Sequence, residues 1–374
     1  MRLGKFKINH YINYIVIGIL TLVLGGMTLA GNRFDNSLLF LLEKVAISII
    51  LAVSLSLVVG FLGELSLGHA GFMCVGAYLG GKIASLLVPA MGNGLAAFGI
   101  SLLGGAAAAA VCGAIIGIPA LRLRGDYLAI VTLAFGEIVK TLFQNTSDAS
   151  FGGTLGLNTP RYDKKYLFII AFVLVLITLA VVQNFIRSKH GRAVTAIRDN
   201  EIATKATGIN VTKYKLAAFI TSAALAGVAG VLYSYSNYTV QSSKFNYNYS
   251  IEILVMVVLG GMGSINGAIV AATLITWLNT LLPTVLTGEM AVLQNLLYAL
   301  ILIVIVIYNN APALKGFRDK YNLSVLVEKL HRADPSHIKD DKAKWDVVPT
   351  KISMDEILSI DLTPQDDRKY GGDE

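Results

Sequence analysis

The sequence predicts an all-α integral membrane protein with about 9–10 transmembrane or half-membrane helices. Three observations carry that prediction: a shortage of charge, long apolar runs, and glycine clusters that interrupt those runs. Of 374 residues, 55% are hydrophobic and 15% charged, against about 25% charged in a soluble domain. A bilayer core takes about 20 apolar residues per helical pass. Tyr11–Ala30, Leu38–Leu62, Leu95–Ala120, Tyr166–Ile186 and Ala291–Tyr308 all meet that requirement. The short alternating segments of a membrane β-barrel do not occur.

Charge placement separates a membrane protein from a nucleic-acid binder. The net charge is +7, yet the stretch from Lys315 onward holds 11 basic and 13 acidic residues, so the preceding part carries +9. That excess lies in short loops between apolar runs, the pattern of the positive-inside rule rather than of a nucleic-acid patch. Arg2, Lys5 and Lys7 precede the first run, and Ala30 would suit a signal cleavage site. A run of about 20 residues exceeds the 7–15 of a signal core, so a retained first helix is expected. Cys74 and Cys112 sit inside apolar segments without metal-ligand spacing and read as packing residues.

Basic loops then orient the chain. A cytoplasmic N-terminus (residues 1–10) sends the first helix out, and Leu38–Leu62 returns. Ser66–Val88 goes out, Leu95–Ala120 returns, and Leu121–Asp126 lies inside with Arg122 and Arg124. Tyr127–Phe143 goes out, the loop Gln144–Lys165 is external, and Tyr166–Ile186 returns. The most basic loop of the chain, residues 187–215, then lands inside. Leu216–Tyr235 goes out, leaving Ser236–Ser250 external. A single span over Ile251–Leu282 would put the tail outside, although Lys315, Arg318 and Lys320 favour the inside. A break at Gly260–Gly267, with four glycines in eight positions, removes the conflict, because glycine is costly in a helix interior.

A second glycine-rich break spans Gly60–Gly71. Two readings fit each break alone: close helix packing, as expected for Gly76/Gly80 and Gly113/Gly117, or a transport pathway. Matching breaks in two pseudo-repeated halves favour the pathway. Its candidate residues are Gly63, Ser66, Gly68, His69 and Gly71 in the first break, and Gly260, Gly261, Gly263 and Ser264 in the second. The ionisable groups near apolar sequence are Glu64, His69, Lys82, Glu137, Lys140 and Glu252, and such groups are functional candidates because lipid penalises them. Glu137 and Lys140 are spaced to share a helix face and form an intramembrane pair. A proton relay at His69 is the minor alternative.

Catalysis has no support. The sequence lacks a Gly-xxxx-Gly-Lys-Ser/Thr phosphate loop, a nucleophile elbow, and paired metal ligands. The loop 187–215 is more informative. Ala193, Val194, Ile197, Ile202 and Ala206 fit the buried faces of two short amphipathic helices, with Asp199 or Asn200 capping the second and Gly208 ending it. Docking of a soluble partner and contact with anionic lipid both suit such a loop.

Several motifs occur in a familiar order: Gly63-Glu-Leu-Ser-Leu-Gly-His-Ala-Gly-Phe72 with Gly76-Ala-Tyr78, Leu121–Glu137, Gly152-Gly-Thr-Leu-Gly-Leu157, Gly191–Asn210 and Met256–Ser264. Across nearly all of residues 10–310 the chain resembles LivM-type permeases of branched-chain amino acid ABC importers. The resemblance implies a permease domain over 11–310 and a translocation path shared with a second, LivH-like permease. It also implies two cytosolic ATPase subunits and an external binding protein that delivers leucine, isoleucine or valine. ATP would be bound by the partner subunits alone. Loop 187–215 would be the ATPase-coupling element, with Arg192, Ala196, Arg198, Asp199, Glu201 and Gly208 as candidates. The external loop Gln144–Lys165 would face the binding protein. Urea or short-amide permeases of the same family, and an ion-coupled secondary transporter using His69 or Glu137, are the alternatives. The tail, residues 311–374, lacks the apolar content to fold alone; disorder is expected, with ATPase contact the sharper option.

Overall fold

The computed structural model describes residues 35–285 apart from 93, 124, 161 and 163, together with positions 17, 18, 21, 300 and 303. The expected spans Tyr11–Ala30 and Ala291–Tyr308, those positions aside, and the tail 311–374 lie outside the described residues. The chain divides at Ile307 into two units, and the elements that follow belong to the first.

Helix α1 (Asn36–Ser56) runs on into a π-helical stretch, Leu57–Leu62. It is followed by α2 (His69–Met91), α3 (Leu95–Ala120), α4 (Asp126–Gln144) and a single turn, α5 (Asp148–Phe151). Next come β1 (Leu157–Asn158), α6 (Lys164–Arg187), α7 (Lys189–Asp199), α8 (Glu201–Ala206) and α9 (Val211–Ser236). The described part closes with β2 (Thr239–Val240), a 3-10 turn at Ser242–Lys244, α10 (Tyr247–Leu259) and α11 (Ile265–Val285).

Among the described residues, 6 helices are long and apolar enough to cross a membrane: α1 with its π-helical extension, α2, α3, α6, α9 and α11. Helix α3 has the bounds expected from its apolar run. The segment Ile251–Leu282 is indeed interrupted, between Leu259 and Ile265. At 13 residues α10 is about 20 Å long, short of a bilayer core. Helix α4 carries Asp126, Glu137 and Lys140 and falls outside the set of six.

One end of the bundle gathers the break after α1, the α3–α4 turn, the α7–α8 hairpin and the α10–α11 turn. The other end holds the α4–α6 and α9–α10 connections, where Leu157 pairs with Val240 and Asn158 with Thr239 in a short antiparallel ladder. Segments assigned to one side from loop charge and span parity therefore do meet on one side.

The centre is a close-packed trio of α2, α3 and α9. Its helices approach where small residues face each other: Gly76 against Gly227, Gly105 against the Gly76 carbonyl, and Gly113 against Ala223. A methyl added at Gly76 would lie 2.5 Å from Gly227 Cα. The Gly-xxx-Gly spacing thus serves packing, the usual use of small residues between membrane helices.

This contrast is testable. Gly76→Ala forces two backbones apart and is expected to cost about 1–3 kcal/mol or more. Gly99→Ala, at a helical position of α3 with nothing within 4 Å of the new methyl, should be neutral or stabilise by about 0.5–1 kcal/mol. Thermal unfolding of the two purified variants checks the pair.

Candidate functional site

The first glycine break is an extended climb rather than a turn. After the π-helical stretch, Gly63 adopts φ 77° and the chain runs without helical structure to Gly68, so α2 starts at His69 and not at Ser66. Non-helical backbone at membrane depth must find its hydrogen bonds inside the protein. Glu64 N–H donates to Val58 O (3.2 Å), Leu67 N–H to Thr132 Oγ1 (3.0 Å) and Ala70 N–H to Ser250 Oγ (3.2 Å). Hydroxyls from α4 and α10 therefore hold the break. Gly68 and Gly71 lie against the α4 backbone, where a methyl on Gly71 would come 2.8 Å from Gly136 Cα.

The second break packs onto the first. Gly261 and Gly263 take φ 89° and 85°, conformations that favour glycine. A methyl on Gly60 would strike Gly263 N at 2.5 Å, and Gly260 is equally tight against Gly267. Ser264 Oγ accepts from Gly267 N–H (3.2 Å) and starts α11.

The hairpin forms for local reasons. Ser188 caps α7 by accepting from His190 and Gly191 N–H, at 3.1 and 3.3 Å. Asn200, not Asp199, caps α8 by accepting from Ala203 N–H (3.0 Å), and Gly208 follows its end with φ 84°. Ala193, Val194 and Ile197 are buried as the periodicity predicts. Ile202 and Ala206 are not: Ile202 is 75% exposed, and Thr204 takes the inward position on α8. A six-residue helix whose Lys-facing edge is fixed by Glu201 cannot also turn Ile202 inward.

Hairpin and break are joined by charge. Arg198 Nη1 donates to Gly60 O (3.2 Å), while Nε and Nη2 hold Asp199 Oδ1 at 3.1 and 3.0 Å. The Arg198 side chain occupies the space a methyl on Gly63 would need, 2.7 Å away. Lys215 Nζ, at the start of α9, lies 2.5 Å from Glu64 Oε1 and 3.1 Å from Glu201 Oε2, with its side chain 4% exposed. A groove of about 580 Å³ runs past Glu64, Asp126, Arg198, Glu201 and Ile202. Arg192 is exposed and donates to Arg187 O (3.3 Å), and Ala196 O accepts from Asn200 N–H.

The remaining sequence candidates serve other contacts. His69 is buried with Nε2 2.7 Å from Ser54 Oγ, and Ser66 is buried beside it in the chain. Glu137 pairs with Lys140 at 2.6 Å, and its other oxygen accepts from Tyr247 N–H (3.0 Å), so the pair also fixes the start of α10. Sequence reasoning passed over Lys215 as the hub, over the hydroxyls of Thr132 and Ser250, and over Glu43 and Lys44 within α1. Glu43 is buried and accepts from Ser236 Oγ (2.6 Å). A signal for both was present, since any charge inside the Leu38–Leu62 run is a candidate.

The family model for the branched-chain amino acid transport system / permease component matches residues 37–306. The chain belongs to this family. The high-affinity branched-chain amino acid transport system permease protein LivM of Escherichia coli K12 is 38% identical over 261 residues, covering 61% of this chain and 60% of the relative. LivM of Salmonella typhimurium is 37% identical over the same length. The chain thus matches about three fifths of the length of these relatives. The ribose import permease protein RbsC of Escherichia coli K12 is 28% identical over 320 residues, 92% of its length. No solved structure matches.

The Lys215 junction yields a stability prediction. Lys215→Met leaves the part-buried Glu64 without its cation and is expected to cost up to about 3 kcal/mol, the lower end for a fully buried pair. Adding Glu64→Gln should recover part of that loss, because the stranded charge is gone. A double-mutant cycle on thermal unfolding measures the coupling, and simple additivity would contradict the pairing.

Proposed function

We propose that the chain is the LivM-like permease subunit of an ABC importer for leucine, isoleucine and valine. In this reading it works in the plasma membrane with both termini cytoplasmic. It shares a path with a LivH-like permease, receives cargo from an external binding protein, and is driven by two cytosolic ATPases that alone bind ATP. Family membership supports the permease role, and the LivM relatives favour this cargo over the ribose of the more distant one.

The observation that carries the mechanism is the bonding of the hairpin to the glycine break. A hairpin that receives motion from an ATPase transmits it only through rigid contacts. Arg198 to Gly60 O, and Lys215 to Glu64 and Glu201, are such contacts. The break they grip ends α1 and packs on the α10–α11 turn at Gly263. A displacement at α7–α8 therefore reaches both interrupted elements, which border the path in this reading. Exposed Ile202 gives a docking partner an apolar anchor on the hairpin. An ion-coupled mechanism is disfavoured because His69 and Glu137, its two candidate groups, are engaged by Ser54 and by Lys140 with Tyr247.

The test begins with an affinity purification of the tagged protein. Two ATPases and a second permease should accompany it, whereas recovery of the protein alone, under conditions that preserve a known ABC complex, would count against the reading. In the reconstituted importer, Arg198→Ala removes a charged hydrogen bond worth about 1.5–3 kcal/mol. Leucine uptake should fall about tenfold or more while the complex still assembles. Uptake of ribose or urea in place of leucine would redirect the cargo assignment.

A further inference from the structure

A polar cavity of about 330 Å³ opens between α1, α9, α10 and α11, away from the hairpin. That size is at the lower end of small-molecule sites. At 1.5 Å per residue, its Ser48 lies about 21 Å before Leu62 on α1, and its Thr276 about 16 Å beyond the start of α11. The cavity therefore reaches from the α9–α10 connection, where Asn237 and Lys244 line it, toward the middle of α1 and α11, beside the short helix α10; interrupted helices are where transport sites are built.

Its charges lack compensation. Lys44 and Lys244 face it, close enough to repel each other electrostatically. Among the described residues neither has a carboxylate within ion-pair distance; the Lys44 ammonium rests 4.5 Å from the centroid of the Phe40 ring. Glu252 also lines the cavity and accepts a hydrogen bond from Asn279 Nδ2. The Thr276 hydroxyl is buried and has no hydrogen-bond partner among the described residues. Ile47 and Phe245 supply an apolar wall. Charges drawn into a partly buried cavity are costly unless something answers them. Two cations and one anion in one cavity, not paired with each other, are answered by a ligand that carries both signs.

We propose that this cavity is a transit site for the zwitterionic head of the amino acid cargo. The α-carboxylate sits at Lys44 and Lys244, the α-ammonium at Glu252, and the aliphatic side chain lies along Ile47 and Phe245. Thr276 supplies the remaining polar contact. The assignment rests on the amino acid reading above.

The test uses the complete importer in nanodiscs without its binding protein, titrated with radiolabelled leucine. Saturable binding is expected, weakened about tenfold or more (1.4 kcal/mol per tenfold) by Lys244→Gln and by Glu252→Gln, and restored by Lys244→Arg. Leucinamide, which lacks the carboxylate, and 4-methylpentanoate, which lacks the ammonium, should compete poorly. Glu252→Gln should relieve the penalty on 4-methylpentanoate alone, a change that a purely structural role would not produce. Unchanged binding in the glutamine variants, or equal loss in Lys244→Gln and Lys244→Arg, overturns the site. Leucine binding that appears only when phosphatidylethanolamine is omitted assigns the cavity to a lipid head group and overturns it as well. If the glutamine variants do not assemble, the competition pattern of the wild-type importer decides. Leucine uptake by the importer with its binding protein, but no binding here, removes this site alone; absence of uptake removes the functional reading beneath it.

Discussion

A chain that leaves helical geometry inside a bilayer has to find every lost hydrogen bond within the protein. That requirement governs the arrangement around residues 63–68. The helical repeat stops at Leu62, and the next helical residue is His69. Between them, Leu67 N–H is met by Thr132 on α4 and, just beyond, Ala70 N–H by Ser250 on α10. Those two hydroxyls fix α4 and α10 against the break. The glycines at 68 and 71 then let α2 and α4 approach closely enough for the bonds to form. Glu137 on α4 in turn holds Tyr247 at the start of α10, closing the loop of constraints.

The same break is tied at its lower end by charge. A buried ion pair is poor evidence for stability, since desolvation offsets much of the attraction. Its value lies in fixing one arrangement. Lys215 has two carboxylates from two different segments, Glu64 of the break and Glu201 of α8. Arg198 adds a bond to a π-helical carbonyl that the ordinary helical ladder leaves available. These contacts therefore hold hairpin, break and α9 to one another. In the proposed function, such a connection is what a part passing motion between an ATPase and a membrane path requires.

The polar cavity is a counterpart to this junction. Near the hairpin, opposite charges meet and neutralise each other. On the side of the α9–α10 connection, Lys44, Lys244 and Glu252 remain apart, and the Thr276 hydroxyl has no partner among the described residues. The first arrangement is complete in itself, and the second is the one we propose a zwitterionic ligand completes.

Much of the fold was legible in sequence because its signals are local. Apolar length set the bounds of α3, the expense of glycine in a helix placed the interruption after Leu259, and Asn200 and Gly208 marked the ends of the second hairpin helix. Basic loops and the parity of the spans between them assigned the 144–165 and 236–250 segments to one side, where β1 and β2 do pair. Periodicity failed at Ile202, since a six-residue helix is oriented by what holds its ends rather than by its own apolar stripe. What the sequence by itself determined was which segments are helical, where they break, and which side their loops share. Only the tertiary structure decided the partners: Lys215 with Glu64 across 151 residues, Arg198 with Gly60 across 138, and Lys44 near Lys244. Helical periods and glycine costs are properties of neighbouring residues, whereas pairing across a bundle depends on which faces packing brings together.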